Sequence, residues 1–263
     1  MKQTSMITIL GLLLLAACDG GNDKAPSKVT PPLKPVAPLP VVVEPEVEVQ
    51  PDVNIDAAVE GQYLAVFETT NSKLTKKITG AFTFSREKET DEIVGDVRIT
   101  NAGVDVQHSQ SVRAGNRCPG PQDDTNKDGV IDAIEGEAVY GKVLIPLDGD
   151  LSSQASMNNS VPYGDVYGNY FYSEVARFSD FISDLRSVDG ADGYLKLKPR
   201  EPLNIESRVA VVLGVDAGME LDLTVGTVGP FANHQTLPVA CGVINKVIQP
   251  PGTIEDGTYP ENR

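Results

Sequence analysis

The sequence predicts a mainly β fold, an antiparallel two-sheet sandwich with one or two short helices. Three observations point to it. Between residues 57 and 247 the dominant pattern is short runs in which apolar and polar residues alternate, the period of half-buried strands. About eight or nine such runs follow one another at short spacing, as in two-sheet antiparallel sandwiches. Only one stretch has helical spacing instead.

The first 56 residues stand outside that fold. Lys2 followed by the apolar run from Met6 to Ala17 reads as a targeting segment over residues 1–17, too short to span a bilayer. It closes on Leu15-Ala16-Ala17-Cys18, which resembles the lipobox of bacterial lipoproteins. The resemblance implies cleavage before Cys18 and acylation of its thiol and new amino terminus. Two or more acyl chains hold a protein stably on a membrane. The expected location is therefore the bacterial cell envelope, facing the periplasm or the exterior. Asp19, directly after Cys18, points by the same resemblance to the inner membrane.

Residues 18–56 read as a tether. Eight prolines lie between Asp19 and Asp56, favouring extended polyproline geometry and leaving nothing with which to build a core. Val41, Val42, Val43, Val47 and Val49 could add an edge strand, but Pro45 argues against a central one, and the stretch is assigned to the tether. Residues 248–263, with Gln249-Pro250-Pro251-Gly252 near their start, read as a disordered tail.

Within the domain, Phe82 and Phe84 alternate with Thr83 and Ser85, and Val97 and Ile99 with Asp96, Arg98 and Thr100. Val104, Val106 and His108 fall on one face of a further run. Val143, Ile145 and Leu147 form another, which Asp148-Gly149-Asp150 turns. Leu195 and Leu197 alternate with lysines, and Met219, Leu221, Leu223 and Val225 with Glu220, Asp222 and Thr224. Val209 to Val215 is more continuously apolar and suits a central strand. Phe171, Val175, Phe178, Ile182 and Leu185 recur at spacings of 4, 3, 4 and 3, which predicts an amphipathic helix on a face or end of the sandwich.

One connection carries chemistry. Asp124, Asn126 and Asp128 occupy positions 1, 3 and 5 of a twelve-residue stretch, Gly129 position 6, Val130 position 7, Asp132 position 9 and Glu135 position 12. This resembles the calcium loop of the EF-hand family. A hard cation takes six to eight oxygens, and alternate side chains of a tight turn can converge on one point. The resemblance implies Ca2+ bound by Asp124, Asn126, Asp128, the Val130 carbonyl, Asp132 and a bidentate Glu135. Cys118-Pro119-Gly120-Pro121 disfavours a helix before the loop, so a single calcium loop between strands is expected rather than a regulatory pair. Extracellular modules of this kind bind calcium at roughly 0.1 to 1 mM. Asp189-Gly190-Ala191-Asp192-Gly193 reads as a Gly-rich turn, or else as a second, weaker site.

The formal charge of the chain is −15, and the targeting segment contributes only Lys2. That excess argues against nucleic acid and anionic lipid surfaces as partners and suits cation binding. With Cys18 set aside for lipidation, Cys118 and Cys241 remain as an even pair in an oxidising compartment, so a disulfide is expected over two buried thiols. Closing a loop of that length stabilises a fold by about 5 kcal/mol on the chain-entropy estimate.

From Val104 to about Val247 the chain resembles CHRD-type domains, β-sandwiches akin to copper-zinc superoxide dismutase. The residues that carry this are Gln107-His108-Ser109-Gln110, Cys118-Pro119, Tyr140-Gly141-Lys142-Val143-Leu144-Ile145-Pro146-Leu147 and Leu237-Pro238-Val239-Ala240-Cys241-Gly242. The chain has only His108 and His234, too few for the dismutase copper site. No HExxH, paired CxxC, phosphate loop or GxSxG is present. His108 beside Ser109 does not make a triad, since neighbours in a strand face opposite ways. His108 is expected to be partly buried and His234 to lie in a loop.

The expected function is that of a lipid-anchored calcium-binding envelope protein, non-catalytic, whose ordered loop meets a partner protein or glycan. The alternative is an exported metalloenzyme of superoxide-dismutase-like type using His108 and His234 as ligands.

Overall fold

The computed structural model describes residues 59–87, 89–154, 161–187 and 194–248. The targeting segment, Cys18, the tether with its valine-rich stretch, the turn at Asp189–Gly193 and the tail from residue 249 lie outside the described residues. In chain order the elements are β1 (Gly61–Val66), β2 (Glu68–Thr69), β3 (Thr79–Glu87), β4 (Glu92–Thr100), β5 (Gln110–Arg113), α1 (Ala133–Tyr140), β6 (Val143–Pro146), β7 (Tyr170–Arg177), α2 (Phe178–Leu185), β8 (Val209–Leu213), α3 (Asn233–Thr236), β9 (Pro238–Val243) and β10 (Asn245–Lys246). Short 3-10 turns lie at Pro121–Asp123 and Ile205–Ser207.

The strands form two five-stranded antiparallel sheets, as the alternating pattern predicts. One has the order β10-β1-β3-β4-β7 and the other β2-β9-β8-β5-β6. In the first sheet the β3–β4 hairpin runs from Thr79↔Thr100 to Glu87↔Glu92, which places Phe82, Phe84, Ile93, Val97 and Ile99 inside and their polar neighbours outside. The chain crosses between sheets twice at one corner. β1 passes through Phe67 into β2 of the other sheet, and β9 passes through Ile244 back into β10 of the first. Gly242 is required there, because a Cβ at that position would meet the Val66 carbonyl oxygen at 2.6 Å.

The second sheet is covered on both faces at its centre. Ala210 and Val212 of β8 join the main core, while Val209, Val211 and Leu213 join a smaller cluster with Tyr140 and Cys241. This explains the unbroken apolar run at Val209–Leu213, and also why β5 and β9 lack alternation: all of β5 and all but the last residue of β9 are buried. The segment from Ala114 to Lys142 supplies this outer cover through Cys118 and Tyr140.

Four expectations are corrected. The helical stripe from Phe171 to Leu185 is a strand for its first half and a helix for its second. Phe171 and Val175 lie on the solvent face of β7 (54% and 56% exposed), whereas Tyr170 and Tyr172 point inward. A spacing of four fits both a helix and one face of a strand, so the pair was ambiguous. α2 is helical, with Phe178, Phe181, Ile182 and Leu185 buried and the Phe181 ring 6.2 Å from that of Phe84.

Val104–His108 is not a strand. Asp105 adopts φ 54, Val104 is exposed, and only Gln107 makes a bridge, to Tyr163. Leu195 and Leu197 follow a single bridge between Tyr194 and Val143 in non-strand backbone. Met219–Val225 is a loop in which Leu223 is fully exposed and Val225 buried, and Thr224 and the following Gly226 bond to the acidic connection described below. Among the described residues no helix is long and apolar enough to cross a membrane.

Candidate metal centre

The acidic stretch at 124–135 folds as a chain of side-chain-to-backbone turns. Gly129 N–H donates to Asp124 Oδ2 (2.8 Å), Asp128 N–H to Asn126 Oδ1 (3.0 Å) and Val130 N–H to Asp128 Oδ1 (2.8 Å). Lys127 at φ 63 and Gly129 at φ 86 turn the chain sharply between them. Asp132 is the N-cap of α1 and accepts from Ile134 N–H (2.8 Å) and Glu135 N–H (3.0 Å), which starts the helix where the apolar residues resume. Gly141 ends it with φ 74.

Glu135 closes the loop upon itself. Its Oε1 accepts from Thr125 N–H (2.7 Å), the Thr125 hydroxyl (2.8 Å) and Asn126 N–H (3.2 Å), while Oε2 accepts from Asp132 N–H (3.2 Å). Burial raises the pKa of this carboxyl, but those hydrogen bonds outweigh it and hold the group below its usual value. Asp128 behaves alike: burial works upward, and the Thr224 hydroxyl, Val130 N–H, Asn126 and the Lys73 charge bring it down overall. The Lys73 ammonium lies over Gly129, where a Cβ would collide with it.

Distant residues fasten the loop. Asn71, buried between β2 and β3, donates to the Ile131 and Pro238 carbonyls (2.9 and 2.8 Å) and accepts from Ile131 N–H (2.8 Å). The Thr224 hydroxyl donates to Asp128 Oδ2 (2.7 Å), and Gly226 N–H to Asp132 Oδ2 (2.7 Å). Ahead of the loop, Arg117 grips Asp123 with two 2.8 Å hydrogen bonds, which together with Gly120 N–H hold that carboxyl at about 2. Cys118 and Cys241 form the expected disulfide, with Cα atoms 5.7 Å apart, tying this segment to β9. Nothing local in the sequence distinguishes Asn71, Thr224 or Gly226 from ordinary turn residues.

Among the described residues no group of three or more His, Cys, Asp or Glu side chains is placed to hold a metal ion. The loop nevertheless holds acceptors with capacity to spare. Asp124 Oδ1 is buried and has no hydrogen-bond partner among the described residues. Asn126 Oδ1 and Asp128 Oδ1 each take a single N–H and retain a lone pair. The Val130 carbonyl accepts no hydrogen bond among the described residues. These oxygens fit a hard cation at loop positions 1, 3, 5 and 7. Glu135 fits less directly, because Oε1 already takes three donors and only Oε2 keeps capacity.

The two histidines are engaged apart from this loop. His108 is fully buried, stacks on Tyr170 (5.4 Å between centroids, 20° between planes) and donates from Nδ1 to the Leu213 carbonyl at 3.2 Å. Its Nε2 has no partner among the described residues, and burial pushes its pKa down to about 4. His234, in α3, bonds instead from Nε2 to the Met219 carbonyl at 2.6 Å.

No protein-family model matches the chain, and no curated protein is significantly similar to it in sequence.

Proposed function

We propose that this protein is a lipid-anchored, calcium-binding module of the bacterial envelope, without a catalytic step, whose loop face meets a partner protein or an envelope glycan. What supports it is the 124–135 loop, above all the buried, unpartnered Asp124 Oδ1 at the first ligand position. Asp124, Asn126, Asp128, the Val130 carbonyl, Asp132 and Glu135 would hold the ion. Bound calcium would supply charge neutralisation among four carboxylates on one connection and order that connection over the second sheet. Attachment would come from acylated Cys18, and the proline-rich stretch to Asp56 would hold the domain off the membrane.

Thermal unfolding with excess Ca2+ and with a chelator tests the central claim. A ligand that binds only the folded state at a hundred times its Kd adds about 2.7 kcal/mol. The midpoint is expected to rise with Ca2+, and Asp124→Asn and Glu135→Gln are each expected to abolish the rise. An unchanged midpoint at 10 mM Ca2+, roughly ten times the weakest affinity expected of extracellular modules, would sink the proposal. Mass spectrometry of the mature protein for acyl chains on Cys18 tests the anchor separately.

A further inference from the structure

A cavity of about 300 Å³ lies against the outer face of the second sheet, between α1 and the segment from Val228 to Thr236. That is at the lower end of the range for small-molecule sites, roughly 300–1,000 Å³. Its walls are largely apolar, with Val161, Leu213, Pro230 and Phe231 among them. The one cationic side chain in the lining is Arg113, on β5.

Arg113 is only 6% exposed and is ion-paired with Glu137. Nε donates to Ser111 Oγ at 2.8 Å. Cζ stands 5.0 Å from the centre of the Tyr140 ring, and Nη1 is 3.9 Å from Glu137 Oε2, beyond hydrogen-bonding distance. Neither Nη group donates a hydrogen bond among the described residues. A guanidinium has five N–H donors in a planar fork that matches a carboxylate. With Glu137 as an ion-pair partner at 3.9 Å and no hydrogen bond from either Nη group among the described residues, this guanidinium keeps donors for a further acceptor.

We propose that this cavity binds a small monocarboxylic acid with an apolar body, its carboxylate paired with the Arg113 Nη groups and its body on Leu213, Pro230 and Phe231. Glu137 and Asp148 also line the cavity, so a doubly charged anion such as phosphate meets repulsion that a single carboxylate tolerates better. Arg113 is held by β5, while α1, which walls the cavity, starts within the 124–135 loop.

Calorimetric titration of the protein with straight-chain acids from acetate to decanoate, and with phenylacetate and 3-phenylpropanoate, tests this directly. Each acid is run beside its primary amide, with inorganic phosphate as a further arm. At least one acid is expected to bind about tenfold or more tighter than its amide and than phosphate. Arg113→Gln is expected to erase that preference. Phe231→Ala, at a 40% exposed wall position, is expected to weaken binding several-fold while leaving the fold intact. Should Arg113→Gln fail to fold, the acid–amide comparison and Phe231→Ala decide alone. No binding by any acid, equal binding of acids and amides, or affinity unchanged in Phe231→Ala would overturn the proposal.

Discussion

Glu135 has two roles that a single substitution can separate. It accepts three hydrogen bonds from the loop backbone and one from the Thr125 hydroxyl, and it is the last of the proposed calcium ligands. In chelator, Glu135→Gln is expected to lower unfolding free energy by about 1–3 kcal/mol, the usual worth of hydrogen bonds to a charged group, as read by urea denaturation. Asp124→Asn is expected to leave that value nearly unchanged, because Asp124 Oδ1 has no partner among the described residues to lose. The pH dependence also has a residue-level origin. The Asp123, Asp128 and Glu135 carboxyls are held low in the folded state, so the stability they contribute is present above their unfolded pKa values and is lost as pH falls through the folded ones. His108 acts earlier. Below its unfolded value of 6.5 the unfolded chain takes a proton that the folded chain refuses until about pH 4, so stability falls across that window by roughly 3 kcal/mol. His108→Phe is expected to flatten the urea midpoint between pH 4 and 6.5; an unaltered slope would show that His108 is not the group responsible.

At the scale of elements, the acidic connection is held by partners that no local pattern announces. Asn71 makes three buried hydrogen bonds, two to Ile131 and one to Pro238, so Asn71→Ala strands the Ile131 N–H and both carbonyls. A loss of about 3 kcal/mol is expected in denaturant unfolding, with weakened calcium response if the loop loosens. The elements that the sequence made legible are those with one wet face, such as β3, β4 and α2, where burial imprints a period. β5 and β9 were hidden because both their faces are covered. Met219–Val225 misled in the opposite way. Its alternation leaves Leu223 in solvent, while Thr224 and Gly226 supply contacts to Asp128 and Asp132. The acidic positions of the 124–135 stretch were visible in its spacing, whereas the residues that fasten it lie 60 to 96 residues away in the chain and were not. Arg113 was equally silent, since a single arginine in a short strand gives no hint that its face is roofed by α1.

For the molecule as a whole, the Cys118–Cys241 bridge spans 123 residues and joins the loop segment to the second sheet. Reduction is expected to lower stability by about 5 kcal/mol on the chain-entropy estimate, measured as the shift in urea midpoint with and without dithiothreitol. The corner where β1 continues into β2 and β9 into β10 has a further consequence, for a chain emerging from a ribosome. Tyr63 pairs with Lys246, and Glu68 with Cys241, so β2 receives its partner, and β1 its second partner beside β3, only from the last strands made. Neither sheet can be completed while residues beyond Leu213 are still being synthesised, because β9 borders β8 and β2, and β10 borders β1. A nascent chain of this topology can pair β1, β3, β4 and β7 early, yet it closes both sheets only when its last strands emerge.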